Sequence, residues 1–382
     1  MSEQTTSKRR PRAWAKYVSV LPLVLAVFVA FLVAEILVRR GQENVALDDH
    51  LDPGMSRYDP TLGWTLVPRW TGEHRNTDFE VKYQINALGF RDDSPPPDRN
   101  PGNLLAVMGD SFTFGFGVND GDTFVRHLNE VAPSLGAFVN FAVPGYSTDQ
   151  EVLLLERSIL KLRPRAVLLV VYLGNDIFDN ELAYPIQVSL GKPRFILEGD
   201  ALKLMNTPVP PMRKPASNSR EDLRTAVLGE PSALSEFWSL FARHSVLLTR
   251  FQDRAADWRD HTGEFSQRYD SALALFAALI KRAEDGCEGA GCRLVMVVIG
   301  GRSTIEQPGS LSAQYQEFLR AAILDSAATN GIAVIDIATF LNAAARGGGQ
   351  SFYFPNDGHL SPLGHAMVAD ILARELKPLL AE

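Results

Sequence analysis

The chain has 382 residues, enough for one large domain or two modest ones, and 46% hydrophobic with 22% charged residues allows a sizeable buried core. A formal net charge of −7 argues against a nucleic-acid partner, because phosphate binding calls for a basic surface. The two cysteines, Cys287 and Cys292, lie five residues apart with no histidine cluster nearby, which makes a poor zinc site. A local disulfide in an oxidising compartment and a pair of free thiols beside a turn both stay open.

Residues 1–16 carry Lys8, Arg9, Arg10, Arg12 and Lys16 and are read as a cytoplasmic tail. No charged residue occurs in 17–34, and apolar character resumes through Ile36, Leu37 and Val38. At a rise of about 1.5 Å per residue, roughly 20 such residues span the hydrocarbon core, so 17–38 is expected to be a transmembrane anchor. Basic residues crowd its N-terminal side, while acidic Glu43, Asp48 and Asp49 follow Arg39 and Arg40. That asymmetry predicts a single-pass protein of the cytoplasmic membrane with its main domain extracytoplasmic, periplasmic or at the cell surface. Cleavage after Ala30 or Ala34 would place Phe28 or Leu32 at the −3 position, so an uncleaved anchor is preferred to a signal peptide. Glu35 reads as a boundary residue at the outer end of the span.

Residues 39–98 are expected to form a membrane-proximal β segment and linker. Tyr58-Asp59-Pro60 starts a turn, residues 79–85 alternate as a strand does, and Pro95, Pro96 and Pro97 close the segment. The remaining 99–382 predict one α/β domain. Apolar runs at 104–108, 138–141, 166–172, 294–299 and 332–337 do not alternate, as befits parallel strands covered on both faces. Helices are expected at 122–131, 148–161, 265–285, 312–329 and 361–380, the last capped by Ser361 with Pro362 in its first turn. The alternation predicts a flavodoxin-like three-layer α/β/α sandwich with a five-stranded parallel sheet, whose ligand crevice lies at the carboxyl ends of the strands. An insertion at about 180–260 breaks the rhythm, and within it residues 193–204 read as a β-hairpin turning at Glu198-Gly199-Asp200. It is either a lid at the mouth of the sheet or a loop without function.

The first apolar run ends in Met108-Gly109-Asp110-Ser111, which points a serine hydroxyl into the crevice. Ser111 is followed by Phe-Thr and lacks the second glycine of the α/β-hydrolase nucleophile elbow. Asn140-Phe141-Ala142-Val143-Pro144-Gly145 follows the second run, Gly174-Asn175-Asp176 the third, and Asn356-Asp357-Gly358-His359 precedes the last helix. In this order the four blocks resemble those of the SGNH/GDSL hydrolases, over about residues 100–380. The runs Asp59-Pro60-Thr61-Leu62-Gly63-Trp64 and Asn86-Ala87-Leu88-Gly89-Phe90-Arg91-Asp92 resemble membrane-linked bacterial members of that family.

The resemblance implies Ser111 as nucleophile, His359 as its general base and Asp357 as the acid that orients the imidazole. It implies an oxyanion hole built from the backbone N–H groups of Ser111 and Gly145 and the side-chain amide of Asn175. No metal or organic cofactor is expected. The family pattern puts the acid three residues before the histidine, a position held here by Asn356; a backbone carbonyl is the other candidate for the role. Asp110 is expected to fix the turn and Asp176 to steady the Asn175 loop. His365, His127 and His244 read as packing or surface histidines.

The leading functional expectation is a serine esterase that removes O-acyl groups, O-acetyl above all, from an extracytoplasmic glycan or lipid through an acyl-serine intermediate. An O-acetyltransferase of envelope polysaccharide working with a multi-span partner uses the same residues. The third reading is a catalytically idle glycan-binding or assembly subunit.

Overall fold

The computed structural model describes residues 49–91, 103–185, 188, 190–211, 262–348 and 351–381, with a few helical positions between 22 and 34. The chain divides into two units, 1–46 with 231–256, and 47–230 with 257–382. The tail at 1–16, most of the expected anchor at 17–38, His244 and the proline run at 95–97 lie outside the described residues. Among the described residues no helix is long and apolar enough to cross a membrane.

The second unit is built on five parallel strands: β6 (Leu104–Met108), β7 (Ala137–Asn140), β8 (Ala166–Tyr172), β11 (Arg293–Ile299) and β12 (Ala333–Asp336). Their order is β12-β11-β8-β6-β7. Numbered within the sheet this is 2-1-3-4-5, the flavodoxin-like winding, whose switch point falls between β6 and β8.

Successive residues of each strand feed opposite layers, which explains why all are apolar. Leu104, Ala106 and Met108 of β6 join a core with α3 (Thr148–Leu154), α5 (Thr262–Ala290) and α7 (Leu311–Thr329). Leu105 and Val107 face the other way, into a core with α2 (Phe124–Val131), α8 (Ile337–Gly348) and α9 (Pro362–Leu380). At about 1.5–3 kcal/mol for each fully buried large apolar side chain, these two layers hold the sheet from both sides.

Several helices depart from the sequence expectation. The helix expected over 148–161 is regular only through Leu154, continuing as a wide π turn over Leu155–Ile159 and a tight turn over Leu160–Leu162. Every residue of the regular part, Thr148–Leu154, is buried, as is Leu155 where the π turn begins. The short α6 (Ser303–Glu306) was not expected, nor was helix α8. It starts directly at the end of β12, where the Asp336 carboxylate accepts from Thr339 N (3.3 Å) and Thr339 Oγ1 (2.6 Å).

Before the sheet come five short strands: β1 (His50–Leu51), β2 (Ser56–Asp59), β3 (Gly63–Leu66), β4 (Thr71–Arg75) and β5 (Glu80–Gln84). Strands β2 and β3 pair antiparallel, and β1, β4 and β5 form a second small sheet in the order β1-β4-β5. Leu62, Trp64, Val81 and Tyr83 from this segment are buried in the core layer that also holds α3. The hairpin expected at 193–204 is β9 (Arg194–Glu198) with β10 (Ala201–Met205), in full antiparallel register.

Candidate active site

Strand β6 runs into Gly109 and Asp110, and α1 (Ser111–Phe114) follows at once. Asp110 is the N-cap, its carboxylate accepting from Phe112 N at 2.8 Å. Ser111 therefore stands at the first position of a short helix, at the carboxyl end of a strand beside the switch point.

Ser111 Oγ lies 2.8 Å from His359 Nε2, and His359 Nδ1 lies 2.5 Å from Asp357 Oδ1. With its Nδ1–H donated to the carboxylate, the imidazole leaves Nε2 free to accept the serine proton. Asp357 also accepts from His359 N at 3.2 Å through the same oxygen. Burial raises the Asp357 carboxyl, but the hydrogen bond and charge of His359 outweigh it and leave the group below its ordinary value. The intervening Gly358 has φ +88°, a left-handed turn that folds Asp357 back on a histidine only two residues away.

Asn356 does not meet the histidine: its side-chain amide and backbone N–H donate to Asp78 at 2.7 and 2.8 Å. The His359 ring sits between Phe112 and Phe116, with centroids at 4.9 and 5.0 Å. Behind it, Phe354 N donates to His359 O and Ser361 N to Phe352 O, closing the loop that enters α9. Ser361 caps that helix through Gly364 N, as the Ser-Pro start predicts.

Gly145 and Asn175 follow β7 and β8, the two neighbours of β6. Gly145 has φ +79°, and a Cβ there would run into Val188 Cγ2. Its loop is held from behind by Trp64, whose Nε1 donates to Pro144 O at 3.2 Å, and by Tyr146, whose hydroxyl donates to Trp64 O at 2.5 Å. Asn175 precedes α4 (Asp176–Asp179) and gives one amide N–H to Asp179 Oδ2 at 3.0 Å. The Asp176 carboxylate fixes the loop by accepting from Tyr172 N at 2.7 Å.

A set of buried carboxyls underlies the serine. Burial lifts Asp110 to about 6, against the favourable hydrogen bond from Phe112 and the charge of His359. Burial also raises Glu151 and Asp176 well above their ordinary values, helped in both by Asp110, then by Asp149 at Glu151 and by Glu151 at Asp176. Asp149 is raised by burial although it is ion-paired with the equally buried Lys192. Sequence reasoning missed Asp149 and Glu151, because acidic groups in a helix's first turn normally face water and complement the dipole.

His365 and His127 are the packing and surface histidines that the sequence suggests. His365 is buried, with Nδ1 accepting from Phe124 N at 3.2 Å, and His127 lies 3.7 Å from Glu130. Cys287 and Cys292 are free thiols, Cys287 buried. Among the described residues no group of histidine, cysteine and acidic side chains is arranged to hold a metal ion.

The GDSL-like Lipase/Acylhydrolase family model matches residues 107–367, which include Ser111, Gly145, Asn175, Asp357 and His359. No curated protein matches the chain. Solved structures similar to it include a lipase/acylhydrolase from Enterococcus faecalis, 14% identical, covering 72% of this chain and 96% of that one at a TM-score of 0.38. The psychrotrophic esterase EstA from Pseudoalteromonas sp. is 10% identical over 73% of this chain and 100% of its own, at a TM-score of 0.39. An acetyl xylan esterase, AlAXEase, is 11% identical over 72% and 99%, at 0.40.

Proposed function

This chain belongs to the GDSL-like lipase/acylhydrolase family and is an ester-hydrolysing enzyme, and from that premise we propose that its chemistry runs through Ser111, His359 and Asp357. The observation that carries the assignment is the unbroken line of hydrogen bonds from Asp357 through His359 to Ser111. Ser111 Oγ attacks the acyl carbonyl carbon while its proton passes to His359 Nε2. The tetrahedral oxyanion is met by the N–H groups of Ser111 and Gly145 and by the Asn175 amide, each such donor contributing about 2.7–4 kcal/mol in the transition state. Collapse breaks the ester C–O bond, and His359 returns the proton to the departing alcohol. Water then attacks acyl-Ser111 with His359 again as base, releasing the carboxylic acid and restoring the serine. Asp357 holds the imidazole in the required tautomer and stabilises its cationic form.

The substrate we infer is an O-acyl, foremost O-acetyl, ester on a glycan or lipid outside the cytoplasm, reached by an enzyme tethered through residues 17–38. The uncharged run and the basic residues before it support that placement.

The test is hydrolysis of p-nitrophenyl acetate by the full-length protein in detergent, beside its Ser111→Ala variant. Turnover lost in the folded variant supports the assignment, and Ser111-independent turnover removes it. Retention in the membrane fraction after a high-salt wash, with release by detergent, tests the anchor.

A further inference from the structure

We propose that the turn between β4 and β5 is part of the catalytic apparatus: Asp78, assisted by Asn76, is a positioning residue that holds the Asn356-Asp357 backbone so that Asp357, and not residue 356, orients His359. This rests on the roles proposed above for Ser111, His359 and Asp357.

The Asp78 carboxylate accepts three hydrogen bonds from two adjacent residues of the acid loop. Oδ2 takes the backbone N–H of Asn356 at 2.8 Å and that of Asp357 at 2.7 Å, while Oδ1 takes the Asn356 side-chain amide at 2.7 Å. One charged group thereby fixes the peptide orientation on both sides of Asn356 and draws that side chain away from the imidazole. Charge-assisted bonds of this kind are about twice as strong as neutral ones, and here three act on one turn.

Asn76 completes the arrangement. Its Oδ1 accepts from Asp78 N at 2.8 Å and Phe79 N at 3.2 Å, locking the turn in an Asx conformation. Its amide reaches Asp357 Oδ2 at 3.4 Å, the oxygen that His359 leaves unused. The acid is thus held from its backbone and through both carboxylate oxygens.

The turn is itself rigidly mounted. Strands β4 and β5 pair along five residues, from Thr71 with Gln84 to Arg75 with Glu80. The buried His74 and Tyr83 side chains meet at 2.8 Å, and the Tyr83 hydroxyl accepts from Gly117 N at 2.8 Å, just beyond the serine helix. Phe79 packs on Phe354 with centroids at 5.2 Å, and His74 packs on Phe116 at 4.5 Å, the same Phe116 that flanks His359. The β segment that precedes the hydrolase domain in the sequence therefore sets the geometry of its acid loop.

The experiment compares kcat, KM and thermal unfolding of the full-length protein carrying Asp78→Ala, Asp78→Asn, Asn76→Ala, Asp357→Asn and the double change Asp78→Ala with Asp357→Asn. The expected result is a kcat lowered roughly 10²-fold in Asp78→Ala with KM within about twofold, a fraction of the roughly 10⁴-fold that loss of the acid can cost. Asp78→Asn keeps an acceptor for the backbone N–H groups and should recover most of the loss. In the double variant the two losses should fail to multiply, since Asp78 acts through Asp357. Wild-type kcat in Asp78→Ala, or losses that multiply, overturns the proposal. If Asp78→Ala does not fold, Asn76→Ala and Asp78→Asn each combined with Asp357→Asn carry the same comparison. Should Asp357→Asn alone retain full kcat, the roles assigned to the acid fail first, and the positioning proposal falls with them by a separately visible result.

Discussion

His365 and Phe124 are locked together across the second core layer: their rings lie nearly parallel with centroids 5.8 Å apart, and Phe124 N donates to His365 Nδ1 at 3.2 Å. A backbone N–H aimed at Nδ1 demands a lone pair there, so the imidazole is neutral. Burial above all, then the charges of Arg91, His127 and His359, push it down to about 3.

That depression makes His365 a source of acid sensitivity. Between about 6.5 and 3 the unfolded chain binds a proton that the folded chain does not, so this contribution is fully present above 6.5 and is lost as pH falls. His365→Gln keeps an acceptor for Phe124 N without titrating. Between pH 7.5 and 4.5 wild type should lose about 2–3 kcal/mol more stability than the variant. Urea unfolding of both proteins at the two pH values measures the difference, and equal losses would remove His365 from the account.

Asn356→Asp supplies a carboxylate at the position where the family pattern has one, yet it should lower activity. The Asn356 amide donates to Asp78 at 2.7 Å, and the change sets two carboxylates against each other at that distance. The acid loop should shift and kcat/KM fall about tenfold at neutral pH, through loss of the Asp357–His359 alignment. A gain in kcat/KM would mean that residue 356 can serve as the acid.

Most of the sheet is legible in the sequence because β6, β8 and β11 are covered on both faces and so are apolar at nearly every position. The blocks at Ser111, Gly145, Asn175 and His359 are legible because each stands at an element boundary. The N-terminal sheet is not. The buried positions of β4 are Gly72 and His74, so the strand shows no apolar alternation. Asn76 and Asp78 look like ordinary turn residues, and their partners lie about 280 positions away. Asp149 and Glu151 are similarly masked by sitting where a helix normally carries exposed acids.

Arg91 should prove indispensable to folding. Nearly fully buried, it donates from Nε to Asp120 at 2.7 Å, from Nη1 to Phe114 O and Gly115 O at 3.0 and 2.5 Å, and from Nη2 to Val118 O at 2.6 Å. Its guanidinium also covers the rings of Tyr83 and Phe114 at 4.4 and 4.8 Å. Arg91→Met removes the donor to three carbonyls at and beyond the end of the serine helix and should cost about 3–5 kcal/mol. Arg91→Lys should recover little, because one ammonium cannot reproduce the planar fork. Denaturant midpoints measure both, and a Lys variant as stable as wild type would show that charge alone suffices.

Gly145→Ala tests whether the loop after β7 supplies an oxyanion donor. An alanine at φ +79° is strained, and its methyl would collide with Val188 Cγ2 and touch Trp64 Cζ2 at 3.5 Å. Trp64 is tied to Pro144 O on one side and to the Tyr146 hydroxyl on the other, so the loop cannot simply retreat. The Gly145 N–H should be carried out of line by a few tenths of an ångström or more. If it faces the oxyanion, kcat falls about 10²–10³-fold while KM changes little, the signature of a contact made only in the transition state. Val188→Ala relieves the collision but not the backbone strain, so pairing it with Gly145→Ala should restore part of kcat. A Gly145→Ala enzyme with unchanged kcat would leave the Asn175 amide and Ser111 N–H as the donors.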